Sequence, residues 1–154
     1  MQQQHRHRLG ILAKGLLIAE AGLCLLVAHL ALPWFDFLRL IAIFSFPIQK
    51  PELTGRQRRR ARNEVKKAIF YVWRRSPWKP NCFHRALAAK AMLCRRGVST
   101  TLYYGAARLR DRGLTGHVWV QDGQIGVVGH LAAKGFRILA RFPEPVSSYG
   151  CATN

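Results

Sequence analysis

Acidic residues are scarce in this sequence. The 154 residues include 7 Asp and Glu against 25 Lys and Arg, which gives a formal net charge of +18. This excess predicts attraction to anionic partners, namely nucleic acid, acidic lipid surfaces or acidic peptides, and it carries no information about the fold. Hydrophobic residues make up 49% of the chain, which excludes a wholly disordered protein. The length is sufficient for one domain with a modest core.

Cysteine is also infrequent, and its spacing excludes two classes of protein. The four cysteines form no Cys-x-x-Cys pair and are too sparse for a disulfide-stabilised secreted scaffold. The nearest approach to a zinc pattern is Cys82-x-His84, which lacks the second closely spaced pair that zinc sites use. We therefore expect reduced thiols in a cytoplasmic protein with no metal site and no cofactor of its own.

A signal-peptide cleavage site is missing after the long apolar segment near the N-terminus. Residues 15–32, GLLIAEAGLCLLVAHLAL, are apolar enough to suggest a signal peptide or a membrane span. The apolar run continues into residues 33–47 without a small-residue cleavage site, so we reject secretion. Glu20 lies inside the segment, where a bilayer would make a carboxylate costly. A buried core helix, an interfacial helix on a membrane surface and a true span all stay open.

Helix signals divide the first half of the chain. A first helix is predicted from about residue 10 to residue 31, because the residue before Pro33 disfavours the α conformation. A second apolar stretch covers 34–46, and residues 47–55 form a connector. Residues 56–77 place apolar side chains at helical spacing, which predicts an amphipathic helix with one buried stripe and a solvated basic face.

The second half combines one helix with several strands. Asn81 is a good N-cap for a helix that ends near Gly97. Beyond this helix the apolar period changes from 3.6 to 2, and Asp122-Gly123 has the composition of a hairpin turn. The predicted strands cover 99–108, 116–121, 124–130 and 136–142. The pattern therefore predicts an α+β fold, with a helix packed on a small antiparallel sheet and preceded by apolar helices.

Cys82 occupies the first helical position after the Asn81 cap. The unpaired N–H groups and the positive dipole of a helix N-terminus favour an anion, so this position favours the thiolate and a nucleophilic sulfur. His117 begins a strand of the following sheet, and a histidine beside a helix N-terminus can serve as the base. Many proteins contain a cysteine and a histidine at such a spacing, so the spacing alone only suggests a cysteine-nucleophile site.

The sequence around Cys82 resembles the bacterial transglutaminase-like peptidases of lasso-peptide biosynthesis. Those proteins share a Cys-x-x-Arg-x-Leu-Ala helix, an Arg-Arg-Gly helix end, a strand ending near Gly and a His-x-Trp-Val strand. The resemblance covers about residues 15–142 and is specific within 81–123. The matching residues are Cys82, Arg85, Leu87, Ala88, Arg95, Arg96, Gly97, Gly105, His117, Trp119 and Val120.

This resemblance implies a transglutaminase-like, papain-like core and a cysteine peptidase that cuts a ribosomally made precursor between leader and core peptide. It also implies three partners: the precursor peptide, a cyclase that uses ATP to close the macrolactam, and a leader-recognition protein, since only the peptidase half is recognisable. We expect an apolar helical region at 1–50, a basic helix with its connector at 51–80 and the catalytic core at 81–154, together forming one compact unit.

The third member of the family's Cys-His-Asp triad is where this sequence departs from the pattern. No Asp stands near the end of the strand that follows the His117 strand. With the turn centred on Asp122-Gly123, His117 is predicted to face Val128, and His130 becomes its diagonal neighbour on the same face. We therefore prefer His130 as the group that orients His117. Asp122 is the second candidate for this role, and the third alternative is that no side chain orients His117.

Three further residues are candidates for contact with substrate. Backbone N–H groups at the helix start are expected to hold the oxyanion, while the Asn81 side chain either contributes to that site or only caps the helix. Arg85 either binds an acidic substrate group or pairs with Glu64 or Asp111. Trp119 is expected to pack, and its place in the strand allows it to form the floor of the pocket.

Two alternatives of other classes stay open. The missing Asp is compatible with a weakly active or inactive transglutaminase-like scaffold that binds peptide or a partner enzyme. The Arg and Lys run at 56–67 raises the alternative of a basic nucleic-acid-binding protein. The apolar N-terminal third fits a membrane surface or a partner helix better, so we expect no specific nucleic acid as a partner.

Overall fold

The computed structural model describes residues 2–44, 53–110 and 113–142, with side chains for all of these except 2–11 and 37. Helices dominate the first part of the described chain and strands the second. Most of the predicted connector at 47–55, together with Asp111 and the segment after Phe142, lies outside the described residues. The elements are α1 Gln2–Ala31, α2 Phe37–Phe44, α3 Gly55–Arg75, α4 Cys82–Cys94, β1 Thr101–Leu109, β2 Gly113–Asp122, β3 Ile125–Val128, a 3-10 helix at His130–Ala133 and β4 Arg137–Phe142.

The four strands form one antiparallel sheet in the order β3-β2-β1-β4. Helix α4 packs on one face of this sheet, where Leu102, Val118 and Val120 are fully buried. Helices α1 and α3 cover the remaining sides of α4. The predicted α+β architecture, with a helix on a small antiparallel sheet preceded by apolar helices, is therefore confirmed.

Helix α4 is the central element of the core. Its residues from Ala86 to Cys94 are all buried, including Lys90, whose ammonium donates to the carbonyl of Thr100 at 2.8 Å. Alanine at many of these positions lets the neighbouring helices and the sheet approach closely. Because the rest of the helix is enclosed, only its amino-terminal turn reaches the surface.

The two long helices beside α4 bury the faces that their sequence patterns predict. In α3 the buried residues Ala61, Val65, Ala68 and Ile69 follow the helical spacing, and a capping box at Thr54 fixes the start of the helix. The buried stripe is shorter than the predicted one, since Val72 and Trp73 at its end are only half-buried. In α1 the buried residues are Ala21, Cys24, Leu25 and Ala28, again at helical spacing.

The carboxylate of Glu20 joins α1 to the carboxyl end of α4. Arg95 donates to Glu20 at 2.8 Å, and Arg96 donates to its other oxygen at 2.5 Å. Burial alone raises the pKa of Glu20, but the hydrogen bonds and charges of Arg96 and Arg95 outweigh it and lower the pKa overall. The one acid inside the apolar segment is therefore turned toward the protein and neutralised there.

A buried carboxylate, that of Asp122, ties the sheet to α3. Asp122 ends β2 and is nearly inaccessible, and its oxygens accept hydrogen bonds from Arg58 and Arg62 of α3, including one from Arg58 Nε at 2.9 Å. Burial raises the pKa of Asp122, while the hydrogen bonds from the two arginines lower it by more, so the pKa falls below its ordinary value. Asp122 therefore forms structural ion pairs that join the end of β2 to α3.

The return strand β3 is shorter than predicted, and its predicted register is wrong. It covers Ile125–Val128 rather than 124–130, and Val128 pairs with Val120, whereas the prediction placed it opposite His117. The turn occupies Gly123 and Gln124 rather than Asp122 and Gly123, so Asp122 pairs with Ile125 and Gln121 with Gly126. An irregularity between Val120 and Gln121 then shifts the ladder by one further residue. Gly129 then adopts a φ of 75° and turns the chain into the 3-10 helix. A left-handed residue of this kind ends the extended conformation, so the strand cannot continue to residue 130.

We predict that Asp122→Asn destabilises the fold by about 3 kcal/mol at neutral pH, the lower end of the range for a broken buried ion pair, because two arginines then face a neutral amide while Arg58 stays partly exposed to water. The lowered pKa means that this contribution is fully present above the ordinary value of 3.8 and is lost as pH falls through the folded-state value. Urea unfolding at several pH values measures both effects. The control Glu64→Gln breaks the exposed pair with Arg60 and should change stability little; equal effects of the two variants would contradict this assignment.

Candidate active site

Cys82 is the first residue of α4, and its free thiol is half-buried at the amino-terminal end of that helix. The Asn81 side chain accepts hydrogen bonds from the N–H groups of Phe83 and His84 at 3.0 and 3.3 Å, so its predicted capping role is what the structure shows. The N–H of Arg85 donates to the Asn81 carbonyl at 3.3 Å. Among the described residues no acceptor binds the Cys82 N–H, so this amide stays available beside the sulfur.

Arg85 lies close enough to Cys82 for its charge to interact with a thiolate there. Its guanidinium stacks over the Trp73 ring at 4.6 Å, and its Nε donates to the Asn81 carbonyl at 3.4 Å. Burial lowers the pKa of Arg85, and the neighbouring Cys82 partly offsets that shift. The predicted pairing with Glu64 does not occur, because Glu64 pairs with Arg60 in its own helix.

His84 is buried and pairs with His29, which is exposed, in a contact that the sequence did not predict. Its Nδ1 accepts the Asn81 N–H at 3.1 Å, which completes a capping box, and its Nε2 lies 3.3 Å from His29 Nδ1. His29 in turn stacks on Trp78, with ring centroids 6.1 Å apart. Burial lowers the pKa of His84, and the charge of His29 lowers it further. The described residues contain no group of three His, Cys, Asp or Glu able to hold a metal ion.

His117 is buried in β2, and its imidazole is held by the backbone. Its Nε2 lies 2.9 Å from the carbonyl oxygen of Gly129. A carbonyl can only accept a hydrogen bond, so Nε2 carries the proton and Nδ1 of the neutral ring keeps its lone pair. Trp119 stacks on the ring at 6.0 Å, and Phe136 covers it at 5.3 Å. The orientation and the tautomer of the imidazole are both fixed.

The position of His117 on the sheet follows from the alternation of side chains along β2. Val118 and Val120 face α4, so His117 and Trp119 project from the opposite face. The β3 ladder stops at Val120, and beyond it Gly129 and the 3-10 helix lie beside the earlier part of β2, where His117 is buried. No hydrogen bond joins Cys82 to His117 within the described part of the chain.

His130 does not contact His117, which corrects the predicted diagonal arrangement. It begins the 3-10 helix, and its Nδ1 lies 2.8 Å from Gln121 Nε2. The prediction failed because it continued β3 through Gly129, where the positive φ redirects the chain. Asp122, the alternative third member, lies on the α4 side of β2 with its oxygens bound by the arginines of α3. Neither side chain orients His117.

The group that orients His117 was missed because it is a main-chain atom. A carbonyl oxygen leaves no mark in residue identity, and the register that brings Gly129 to His117 depends on the irregularity in the ladder. One signal was present, namely a glycine between an apolar strand and a histidine in VVGH. An added Cβ at Gly129 would lie 2.8 Å from the Val118 carbonyl and 3.3 Å from His117 Nε2, so the contact requires glycine.

Comparison with protein families gives one match. A family model described as the transglutaminase-like superfamily matches residues 22–141, which is more than half of the chain and includes both Cys82 and His117. No curated protein and no solved structure matches the chain.

We predict that the stability of the protein falls as pH drops below about 6.5, the ordinary pKa of His84. Its pKa is lowered in the folded state, so the unfolded chain binds more protons in this range and acid favours unfolding. Urea unfolding between pH 7.5 and 5 measures the slope. His84→Gln retains an acceptor for the Asn81 N–H and should flatten the dependence of stability on pH. His29→Gln should flatten it only in part, since burial is the larger cause; an unchanged slope in His84→Gln would contradict the assignment.

Proposed function

Because the chain belongs to the transglutaminase-like superfamily, we propose that it is a cysteine peptidase that removes the leader from a ribosomally made lasso-peptide precursor. It acts with a separate leader-recognition protein and a cyclase, in the cytoplasm and without a cofactor of its own. The observation that carries the proposal is the hydrogen bond from His117 Nε2 to the Gly129 carbonyl. This bond provides the orientation and tautomer that an Asp provides in the family's triad.

In the proposed reaction His117 Nδ1 is the general base. It takes the thiol proton as the Cys82 sulfur attacks the carbonyl carbon at the leader–core junction, forming a tetrahedral oxyanion. The imidazolium then gives this proton to the nitrogen of the scissile amide, and the core peptide leaves as an amine. The leader stays on Cys82 as a thioester, which water hydrolyses with His117 again acting as the base. The leader departs with a free carboxylate, and the thiol is restored.

The oxyanion is stabilised by the amino-terminal turn of α4. The Cys82 N–H is the donor of this turn that the cap leaves unused, because Asn81 takes the amides of Phe83 and His84. The positive end of the helix dipole and the Arg85 guanidinium add to the field at the same place. The free amide group of Asn81 is a second donor, since its capping role uses only the side-chain oxygen.

Closure of the site is part of the proposal. Cys82 and His117 share no hydrogen bond in the free chain, and His117 projects from the face of β2 opposite α4. Catalytic hydrogen bonds are often long before substrate binds. We infer that the precursor, presented by its recognition protein, moves β2 and the first turn of α4 relative to each other and so brings the sulfur and Nδ1 together, because the held imidazole does not reach the α4 face by a side-chain rotation. Arg85 contacts the substrate from the helix side, and Trp119 holds the His117 ring by stacking.

A second candidate function is a scaffold that binds peptide or a partner enzyme without cleaving it. The observation that favours it is that His117 projects from the sheet face opposite α4 and shares no hydrogen bond with Cys82. The two functions differ in the reactivity of the sulfur. A peptidase requires Cys82 to react with iodoacetamide at neutral pH faster than the buried Cys24 and Cys94, whereas a scaffold does not. Peptide mapping by mass spectrometry measures the three rates separately.

We predict that Cys82→Ala lowers precursor cleavage by at least roughly a thousandfold, because the nucleophile is removed. The assay combines the chain with a lasso-peptide precursor and a leader-recognition protein, and it measures release of the leader by mass spectrometry. Cys94→Ala is the matched control, since it removes a buried thiol at the other end of the same helix and should keep cleavage within a few-fold. Circular dichroism checks that both variants fold; full cleavage by folded Cys82→Ala would falsify the proposal.

The carbonyl of Gly129 generates a separate prediction. Gly129→Ala should reduce cleavage at least about tenfold more than Gly123→Ala, because both sites have a positive φ and share the backbone penalty, while only Gly129 contacts His117. At Gly123 an added Cβ meets nothing within 4 Å. His130→Ala and Asp122→Asn, measured where both are folded, should keep cleavage within a few-fold. A larger loss in His130→Ala than in Gly129→Ala would show that the backbone does not orient the imidazole.

A further inference from the structure

The outward face of α1 is apolar over most of its length. Leu12, Leu16, Leu23, Leu26 and Leu30 recur at helical spacing and are 39–73% exposed, although the opposite side of the same helix lies in the core. We call this face the α1 stripe and include Val27 in it. The 20-residue segment Leu12–Ala31 is apolar enough to cross a membrane, with a mean hydropathy of 1.7. A helical segment of this length extends about 30 Å, so the stripe is one continuous apolar surface and not a set of isolated exposed leucines.

The stripe carries no charge. The acid within the apolar segment is Glu20, and it points to the protein side, where Arg95 and Arg96 neutralise it. Aromatic rings follow directly at the end of the helix, where Trp34 is 83% exposed and Phe35 is about half exposed. Exposed tryptophan beside an apolar helix is typical of segments that lie at a membrane–water boundary.

Cations border the stripe where α1 meets α3. A groove of about 680 Å³ runs between the two helices and is lined by Leu16 of the stripe together with Lys14, Arg60 and Lys67. Arg60 is paired with Glu64, while Lys14 and Lys67 have no acidic partner among the residues that the structure describes. Two ammonium groups beside an apolar helix face match the phosphate groups at the surface of an anionic bilayer.

We propose that the α1 stripe lies in the surface of an anionic lipid bilayer, with Lys14 and Lys67 against the headgroups. The net charge favours a bilayer over a second copy of the chain as the partner of the stripe. Two chains that each carry a charge of +18 repel one another, whereas an anionic bilayer attracts the chain. The helix lies along the surface and does not span, since its inner face is packed against α3 and α4. The Glu20 carboxylate stays on the protein side, so no bare charge enters the lipid.

Vesicle sedimentation of the full chain tests this surface. Wild type should pellet with vesicles of phosphatidylcholine containing 30% phosphatidylglycerol, and much less with phosphatidylcholine alone or at high salt. The triple variant Leu16→Gln, Leu23→Gln, Leu30→Gln should bind at least about tenfold more weakly. The matched control Leu114→Gln, Leu131→Gln, Leu139→Gln changes three comparably exposed leucines elsewhere and should bind like wild type.

The cations are tested with a second pair of variants. Lys14→Gln with Lys67→Gln should weaken binding roughly thirtyfold at low salt, since each lysine near an anionic surface contributes about fivefold. Lys134→Gln with Arg137→Gln removes the same charge at exposed positions near β4 and should have a smaller effect.

The proposal is overturned if wild type stays in the supernatant with both kinds of vesicle, or if control variants weaken binding equally. Sedimentation equilibrium that shows a dimer broken by the leucine triple variant, without vesicle binding, also overturns it.

Discussion

The burial of α4 on nearly every side is the constraint on which the rest of the structure depends. With the sheet on one face and α1 and α3 on the others, even Lys90 is enclosed and satisfied by a backbone carbonyl. Only the first turn of the helix is accessible, and Asn81 fixes its geometry. A helix whose middle is sealed directs its unpaired amides and its positive dipole to one exposed point, which is where Cys82 lies. The accessibility of Cys82 is therefore a consequence of packing.

The sheet supplies the other half of the candidate site by means of its backbone. The triad that the resemblance implies has a carboxylate beside the imidazole, yet the partly buried Glu20 joins α1 to α4 and the buried Asp122 joins α3 to β2. The carbonyl of Gly129 fixes the His117 tautomer without adding a negative charge. A neutral carbonyl stabilises the positively charged imidazolium less than a carboxylate would. We therefore expect the proposed cleavage to depend more on the helix dipole and on Arg85, which stabilise negative charge at Cys82.

Local signals allowed much of this arrangement to be predicted from the sequence. The Asn81 cap, the position of Cys82 and the buried stripe of α3 depend on neighbours within a few residues; the first two match the structure, and the stripe matches it except at Val72 and Trp73. The contact of His29 with His84 joins residues far apart in the chain and had no local signal. The predicted position of His130 is wrong for a related reason, because the hairpin turn lies one residue later than predicted and an irregularity in the β2–β3 ladder adds a further shift.

The central claim is that Gly129 holds His117 with Nδ1 free to accept a proton from Cys82. Long-range ¹⁵N–¹H correlation spectra of the histidine rings measure which nitrogen of His117 carries the proton in the folded protein near pH 7.5. The account predicts a protonated Nε2 and an Nδ1 with the shift of an unprotonated nitrogen. A His117 ring that is protonated on Nδ1 and free at Nε2 would contradict it, because the base would then be lost from the side where the sulfur must act.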